Sequence, residues 1–232
     1  DKHALLNECN LFGCDWLAQI IRGEISPDDL RAQDRALRET EREALADVAA
    51  YKLIVVHRAE SCVKPRGDLQ IPLLALSDIM RTELFGTFTD FYKRLNSLSG
   101  GLVDDLVGNE GICIAGGSVL SALVKGSAGD IDISLTAPPA EAPNVFRQVF
   151  NAVQKNQQRS GGKKLLLTRT KTAVTMYRAC GTSLTAPPVQ VILQVYENLA
   201  AVLLNFDVDC CCFGFRPGDS HVYTTERGLR AL

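Results

Sequence analysis

Two aspartates separated by a single residue are the feature of the sequence that points most directly to chemistry. Asp130 and Asp132 alternate with apolar residues in a run that ends at Leu135, and this alternation predicts a strand. Residues i and i+2 of a strand share one face, so the two carboxylates lie about 6.5 Å apart along the backbone. Carboxylates placed in this way can share divalent cations and hold a triphosphate, as in sites with two metal ions ~3.5 to 4 Å apart.

A glycine-rich turn comes shortly before the aspartates. The apolar run Ile112–Ala115 leads directly into Gly116, Gly117 and Ser118, and a helical pattern follows. Glycines let a phosphate approach the backbone closely, and free amides at a helix N-terminus attract it. We expect Ser118 to cap the helix and to add a hydroxyl donor. The sequence therefore predicts a phosphate-binding turn.

Together, the Gly116-Gly117-Ser118 turn, the helix and the later Asp130-Ile131-Asp132-Ile133 resemble the signature of the nucleotidyltransferase superfamily. Members of that family transfer a nucleoside monophosphate from a nucleoside triphosphate to a hydroxyl or similar acceptor. The resemblance covers residues 111–215. It implies that the turn holds the nucleotide phosphates, that Asp130 and Asp132 bind Mg²⁺ in a two-metal scheme, and that a nucleoside triphosphate is the substrate. The acceptor stays open among RNA, protein and small molecules.

The family's activity normally needs a third carboxylate on a neighbouring strand, and two alignments are open. In the simplest one this position is Gln190, which binds a divalent metal poorly and cannot act as a base. The chain is then an inactive module with a binding or structural role in a larger protein assembly. In the other alignment, Asp207 or Asp209 is the third carboxylate. These two residues share one face of a strand predicted over residues 206–215, and one of them completes the site and assists the attacking hydroxyl. The chain is then a Mg²⁺-dependent transferase.

The elements that must position these residues belong to an α+β fold. From Gly111 onward, short β-rich runs alternate with helical patterns, which is typical of mixed folds. Strands are predicted over residues 112–115, 131–135, 165–168, 172–177, 189–195 and 206–215. Helices are predicted over residues 119–125, 142–158 and 198–204, with a last turn after Thr225. The resemblance implies a nucleotidyltransferase-like mixed sheet with flanking helices, in a domain of residues 102–232.

Residues 1–101 are predicted to form a mainly helical N-terminal region. Ser26, Pro27 and the two following aspartates are a favourable helix start, and the helix is expected to end near residues 54–57. A second helical stretch is predicted over residues 72–98, before Ser99-Gly100-Gly101. The domain boundary is therefore placed near residue 101.

Composition excludes some classes of protein. The 232 residues include 25 basic and 27 acidic side chains, a net charge of −2, so no global positive field attracts nucleic acid or an anionic membrane. The apolar runs are far shorter than the ~18 to 20 residues of a membrane-spanning helix, and no membrane partner is expected. Three of the eight cysteines are consecutive, unlike an extracellular disulfide framework, so an intracellular location is expected.

Overall fold

The computed structural model describes residues 21–49, 51–56, 86–162, 164–180, 183–184 and 186–231. The helices are α1 (Pro27–Ala44), α2 (Phe88–Leu98), α3 (Leu102–Leu106), α4 (Gly117–Leu123), α5 (Ala142–Arg159), α6 (Leu199–Leu204) and α7 (Glu226–Arg230). The strands are β1 (Ile54–Val55), β2 (Ile112–Ala115), β3 (Ile131–Leu135), β4 (Lys164–Arg169), β5 (Ala173–Cys180), β6 (Ser183–Leu184), β7 (Val189–Val195), β8 (Phe213–Phe215) and β9 (Val222–Thr224). Short 3-10 turns occupy Leu45–Asp47 and Asp209–Cys211.

The described residues form one nine-stranded sheet. Its order is β1-β9-β8-β2-β3-β7-β5-β4, and β6 pairs with β5 beside this path. The pair β3 and β7 is parallel, and the other pairs are antiparallel. Sheet and helices together make an α+β protein, which confirms the predicted class.

Helices cover both faces of the sheet. Ile112 and Ile114 of β2 belong to the larger core, which contains buried residues of α2, α3, α4 and α5. Cys113 and Ala115, which point to the other face, pack with Leu199 of α6. Alternate residues of a strand point to opposite faces, so β2 is buried on both sides and its sequence is continuously apolar.

Side-chain caps explain where two of the helices begin. Ser26 accepts a hydrogen bond from the amide of Asp29 at the start of α1, and Thr87 accepts one from Asp90 at the start of α2. In both helices the aspartate also binds the cap residue's backbone amide, so two otherwise free donors are satisfied.

Several predicted elements are confirmed. The strands at Ile112–Ala115, Ile131–Leu135 and Val189–Val195 have the predicted bounds, and α5 ends within one residue of its prediction. Of the helical stretch predicted over residues 72–98, the part before residue 86 lies outside the described residues. Helix α2 precedes the boundary predicted near residue 101, yet its Phe91 and Leu95 belong to the same core as β2 and β3.

Two predicted elements are wrong. Helix α1 ends at Ala44, and Ile54–Val55 instead pairs with β9 at one end of the sheet. The strand predicted over residues 206–215 begins only at Phe213. Before it the chain turns, because the amides of Cys211 and Cys212 donate to the carbonyls of Val208 and Asp209. Local hydrogen bonds of this kind replace the ladder bonds that a strand requires.

Among the helices that the structure describes, none combines the length and the apolar character required to cross a membrane.

A buried arginine joins three separate segments of the fold. Arg178 of β5 is fully buried and donates to the Ser99 carbonyl (2.6 Å), to Asn156 Oδ1 (2.7 Å) and to the Pro187 carbonyl (2.7 Å). Burial lowers the pKa of Arg178 to about 10, so the side chain stays charged at neutral pH. The three acceptors would lose their donor if the guanidinium were removed.

We expect Arg178→Met to lower the free energy of unfolding by about 3 kcal/mol, because it leaves buried acceptors unsatisfied. Urea unfolding at pH 7 measures this change. The control is Arg147→Met, since Arg147 is exposed and bonds only to nearby Asn144, and its effect should stay within about 0.5 kcal/mol. Equal effects of the two substitutions would contradict this account of Arg178.

Candidate functional site

The pairing of β2 with β3 brings the glycine turn and the aspartates together. In this antiparallel pair Ala115 lies opposite Asp132, and Gly116 follows Ala115 directly. A Cβ atom built on Gly116 would lie 3.5 Å from Asp132 Oδ2 and 3.3 Å from the ring of Phe206. The turn, one of the aspartates and Phe206 therefore meet at one end of β2.

Gly116 adopts a backbone conformation that other residues rarely take. Its φ is 87° and its ψ is −149°, a region in which essentially only glycine is unstrained. Its amide donates to the Phe213 carbonyl of β8 (2.9 Å), and it occupies the capping position of α4. The turn between β2 and α4 therefore requires glycine at position 116.

The expected capping role of Ser118 is wrong. Helix α4 begins at Gly117, so the capping position falls on Gly116 and no side chain caps the helix. Ser118 lies in the first turn and is 2% exposed, and within the described part of the chain its Oγ has no hydrogen-bond partner. The hydroxyl therefore lies inside the protein as an unsatisfied polar group, which costs stability unless a further group binds it.

Asp132 is a partly buried carboxylate whose Oδ1 has no hydrogen-bond partner among the residues that the structure describes. Its pKa is raised from 3.8 to about 6, chiefly by burial and secondly by the negative charge of Asp130. Asp130 is exposed and immediately precedes β3. A buried oxygen without a donor, next to a second carboxylate, is the arrangement that a bound cation would satisfy.

The neighbouring strand places an amide at the position where the family pattern has its third acid. In the parallel pair of β3 and β7, Gln190 is the register partner of Asp132. Gln190 Nε2 donates to Thr175 Oγ1 (3.3 Å) on β5. The parallel pairing of β3 with β7 thus brings Gln190 beside Asp132.

The structure separates the two later aspartates. Asp209 accepts hydrogen bonds from Arg227 Nη1 and Arg38 Nη2, both at 2.7 Å, so arginines occupy both of its oxygens. Asp207 is exposed and follows Phe206, whose ring faces the Gly116 turn. Neither residue is in a strand. Asp209 therefore belongs to an ion-pair cluster, whereas Asp207 is exposed beside Phe206.

Cys211 was not foreseen as a site residue. The three consecutive cysteines resemble a buried strand in the sequence, but Cys210 and Cys211 are partly exposed in the 3-10 turn. Burial raises the pKa of the Cys211 thiol, with further contributions from Cys210, Asp207 and Asp132. No local sequence signal indicates that Asp132, 79 residues earlier in the chain, contributes to the pKa of this thiol.

The carboxylates fit one divalent cation better than a complete two-metal centre. Asp130 and Asp132 offer oxygen ligands, which Mg²⁺ prefers, and the unpartnered Oδ1 of Asp132 fits this use. Within the described ranges, no three His, Cys, Asp or Glu side chains are grouped as metal ligands.

Fold and site together define an α+β protein that has paired carboxylates beside a glycine turn on a mixed sheet. A protein-family model described as Gabija anti-defense 2 family protein matches residues 87–232, which is more than half of the chain. The chain belongs to this family, Gad2. A comparison with curated proteins finds no match. The family match contains α2, the sheet from β2 onward and every residue of the candidate site.

The two adjacent glycines provide a matched test of the turn. We expect Gly116→Ala to lower the free energy of unfolding by about 2 kcal/mol, because alanine is strained at this φ and ψ and its Cβ would lie 3.3 Å from Phe206. Gly117→Ala is the control, since its Cβ would meet nothing within 4 Å in the helix, and it should be neutral or slightly stabilising. Urea unfolding of both variants measures the difference. Equal losses would show that the turn does not require glycine.

The raised pKa of Asp132 predicts a pH dependence of stability. The folded protein binds this proton more tightly than the unfolded chain, so the free energy of unfolding should fall as pH rises from 3.8 to about 6. Above that range we expect Asp132→Asn to be more stable than the native chain by about 2 kcal/mol, with the difference vanishing below pH 4. Urea unfolding from pH 4 to pH 8 tests this, with Glu110→Gln as an exposed control. A constant difference would contradict the assignment.

Proposed function

We propose that this protein is a nucleotidyltransferase-like member of Gad2, which transfers a nucleoside monophosphate from a nucleoside triphosphate to an acceptor in a Mg²⁺-dependent reaction. This activity would serve the role against Gabija that the family's description names. The observation that carries the proposal is the unpartnered Oδ1 of Asp132 beside Asp130 and the Gly116 turn. The acceptor, whether RNA, protein or a small molecule, is to be found by assay.

Each group has a role in this proposal. The open approach to Gly117, where a side chain would meet nothing within 4 Å, lets the triphosphate come close to the backbone. Asp130 and Asp132 would hold Mg²⁺, and the ion would supply positive charge beside the triphosphate and the leaving pyrophosphate. Asp207 is exposed next to Phe206 and accepts the proton of the attacking hydroxyl. Asp209 has no part in the reaction, since two arginines bind it.

A second candidate function is nucleotide binding without transfer, in a module that serves a protein assembly. The observation in its favour is Gln190, which lies in register with Asp132 and bonds to Thr175. An amide at this position supplies no negative charge to a second cation and cannot accept a proton. The two candidates share the site of binding and differ in the chemical step.

Thermal melting tests the binding that both candidates share. Each nucleoside triphosphate with Mg²⁺ is expected to raise the Tm of the native chain, because a ligand that binds only the folded state stabilises it. At a ligand concentration 100 times Kd the gain is about 2.7 kcal/mol. The variant Asp130→Asn/Asp132→Asn should lose this shift. The exposed pair Glu110→Gln/Glu197→Gln is the charge-matched control and should keep it. The proposal fails if no triphosphate shifts the native Tm.

Two further variants separate transfer from binding alone. If Asp207 is the third carboxylate, Asp207→Asn should abolish pyrophosphate release from a bound triphosphate and leave the Mg²⁺-dependent Tm shift intact.

If Gln190 marks a site that only binds, the native chain should release no pyrophosphate with RNA, protein or small-molecule acceptors. In that case Gln190→Glu should tighten Mg²⁺ binding, because it adds a carboxylate beside Asp132.

A further inference from the structure

A buried arginine near the C-terminus binds the segment that borders the candidate site. The side chain of Arg227 is 5% exposed. Its Nη1 donates to Asp209 Oδ1 (2.7 Å) and its Nη2 to the Phe206 carbonyl (2.8 Å). The planar guanidinium can hold such partners in a fixed geometry. Arg227 therefore binds both ends of residues 206–209.

The N-terminal helix completes this cluster. Glu41 of α1 is buried, and its Oε2 accepts from Arg227 Nε at 2.8 Å, while its Oε1 accepts from the Arg227 amide at 3.2 Å. Arg38, one turn earlier, donates to Asp209 Oδ2 at 2.7 Å. We call these four residues, Arg227, Glu41, Arg38 and Asp209, the Arg227 cluster. Two of its members come from α1, which lies outside the family match at residues 87–232.

The segment held by the cluster faces the site. The ring of Phe206 lies 3.3 Å from the Cβ position of Gly116, and that position is 3.5 Å from Asp132 Oδ2. Asp207 is the next residue, and the Cys211 amide donates to the Val208 carbonyl of the same segment (3.0 Å). A movement of residues 206–209 would therefore change the contact of Phe206 with the Gly116 turn and the access to Cys211.

We propose that Arg227 is a positioning residue for the candidate site: through its bonds to the Phe206 carbonyl and Asp209 it holds residues 206–209 with the Phe206 ring against Gly116, and α1 takes part through Glu41 and Arg38. The part of this inference that concerns Mg²⁺ rests on the proposed function, whereas the part that concerns the placement of the segment does not.

Stability alone would not require this arrangement. A buried ion pair is often no more stabilising than apolar residues of the same volume, while removal of one partner is strongly destabilising. The Arg227–Glu41 pair is buried on both sides, and the remaining nitrogens of Arg227 bind groups of the site segment. The need to hold residues 206–209 in position explains why the charged guanidinium of Arg227 is buried here.

The variants are chosen so that the protein stays folded. Arg227→Met alone would leave Glu41 charged and buried, so the main variant is Glu41→Met/Arg227→Met, which removes both charges and keeps the volume. Arg227→Lys keeps the charge but cannot reach Glu41, Asp209 and the Phe206 carbonyl together. The control is Arg42→Met, which removes an exposed ion pair with Glu39 on the same helix. Urea unfolding confirms that each variant is folded.

The first measurement is the rate at which iodoacetamide alkylates Cys211, read by peptide mass spectrometry on the full chain without metal. We expect a roughly tenfold rise in Glu41→Met/Arg227→Met, which corresponds to local opening that is about 1.4 kcal/mol easier. Arg227→Lys should give a smaller rise, and Arg42→Met should match the native chain. A purely structural role would change global stability without this local difference. The inference is overturned if the double variant is folded and its Cys211 rate equals the native rate.

The second measurement is Mg²⁺ binding by calorimetry. If the native chain binds Mg²⁺, the double variant should bind it roughly tenfold more weakly or worse, as when groups that orient metal ligands are removed. If the native chain binds no Mg²⁺ but the Cys211 rate still rises in the double variant, the proposed function fails and the positioning role stands. If Mg²⁺ binds equally to both and the Cys211 rates agree, the positioning role fails and the proposed function stands.

Discussion

The hydrogen-bonded register between β2 and β3 is the constraint on which the rest of the site depends. These central strands place Ala115 opposite Asp132, so the turn that follows β2 must pass over the carboxylate. A shift by one residue would turn Asp132 toward the apolar core and Ile133 toward the turn, because neighbouring side chains point to opposite faces. The buried isoleucines of both strands prevent that shift, since they pack with helices on the other face.

This register has an electrostatic consequence. It holds Asp132 partly buried beside Asp130, and the resulting rise in pKa reflects a free-energy cost of ionisation in the folded protein. Ser118 adds an unsatisfied buried hydroxyl in the first turn of α4. Proteins usually satisfy such groups. Among the described residues, two buried polar atoms close to one glycine turn therefore have no partner.

The surroundings of the aspartate pair come from distant parts of the chain. β7 brings Gln190 into register with Asp132, and the segment after α6 brings Phe206 against Gly116. That segment is held by Arg227 and by the N-terminal helix through Glu41. The paired carboxylates are thus a local feature of the sequence, whereas the groups around them depend on the whole fold.

The strands at Ile112–Ala115 and Ile131–Leu135 and the glycine turn could be predicted from the sequence, because each follows from a local alternation or a residue's backbone preference. The strand predicted over residues 206–215 is wrong for residues 206–212. The alternating Phe-Asp-Val-Asp run also fits a turn, in which Arg38 and Arg227 bind Asp209. The burial of Ser118, the place of Gln190 beside Asp132 and the binding of Asp209 by two arginines follow from the tertiary structure. Each of these depends on contacts between residues far apart in the chain, and local periodicity carries no information about such contacts.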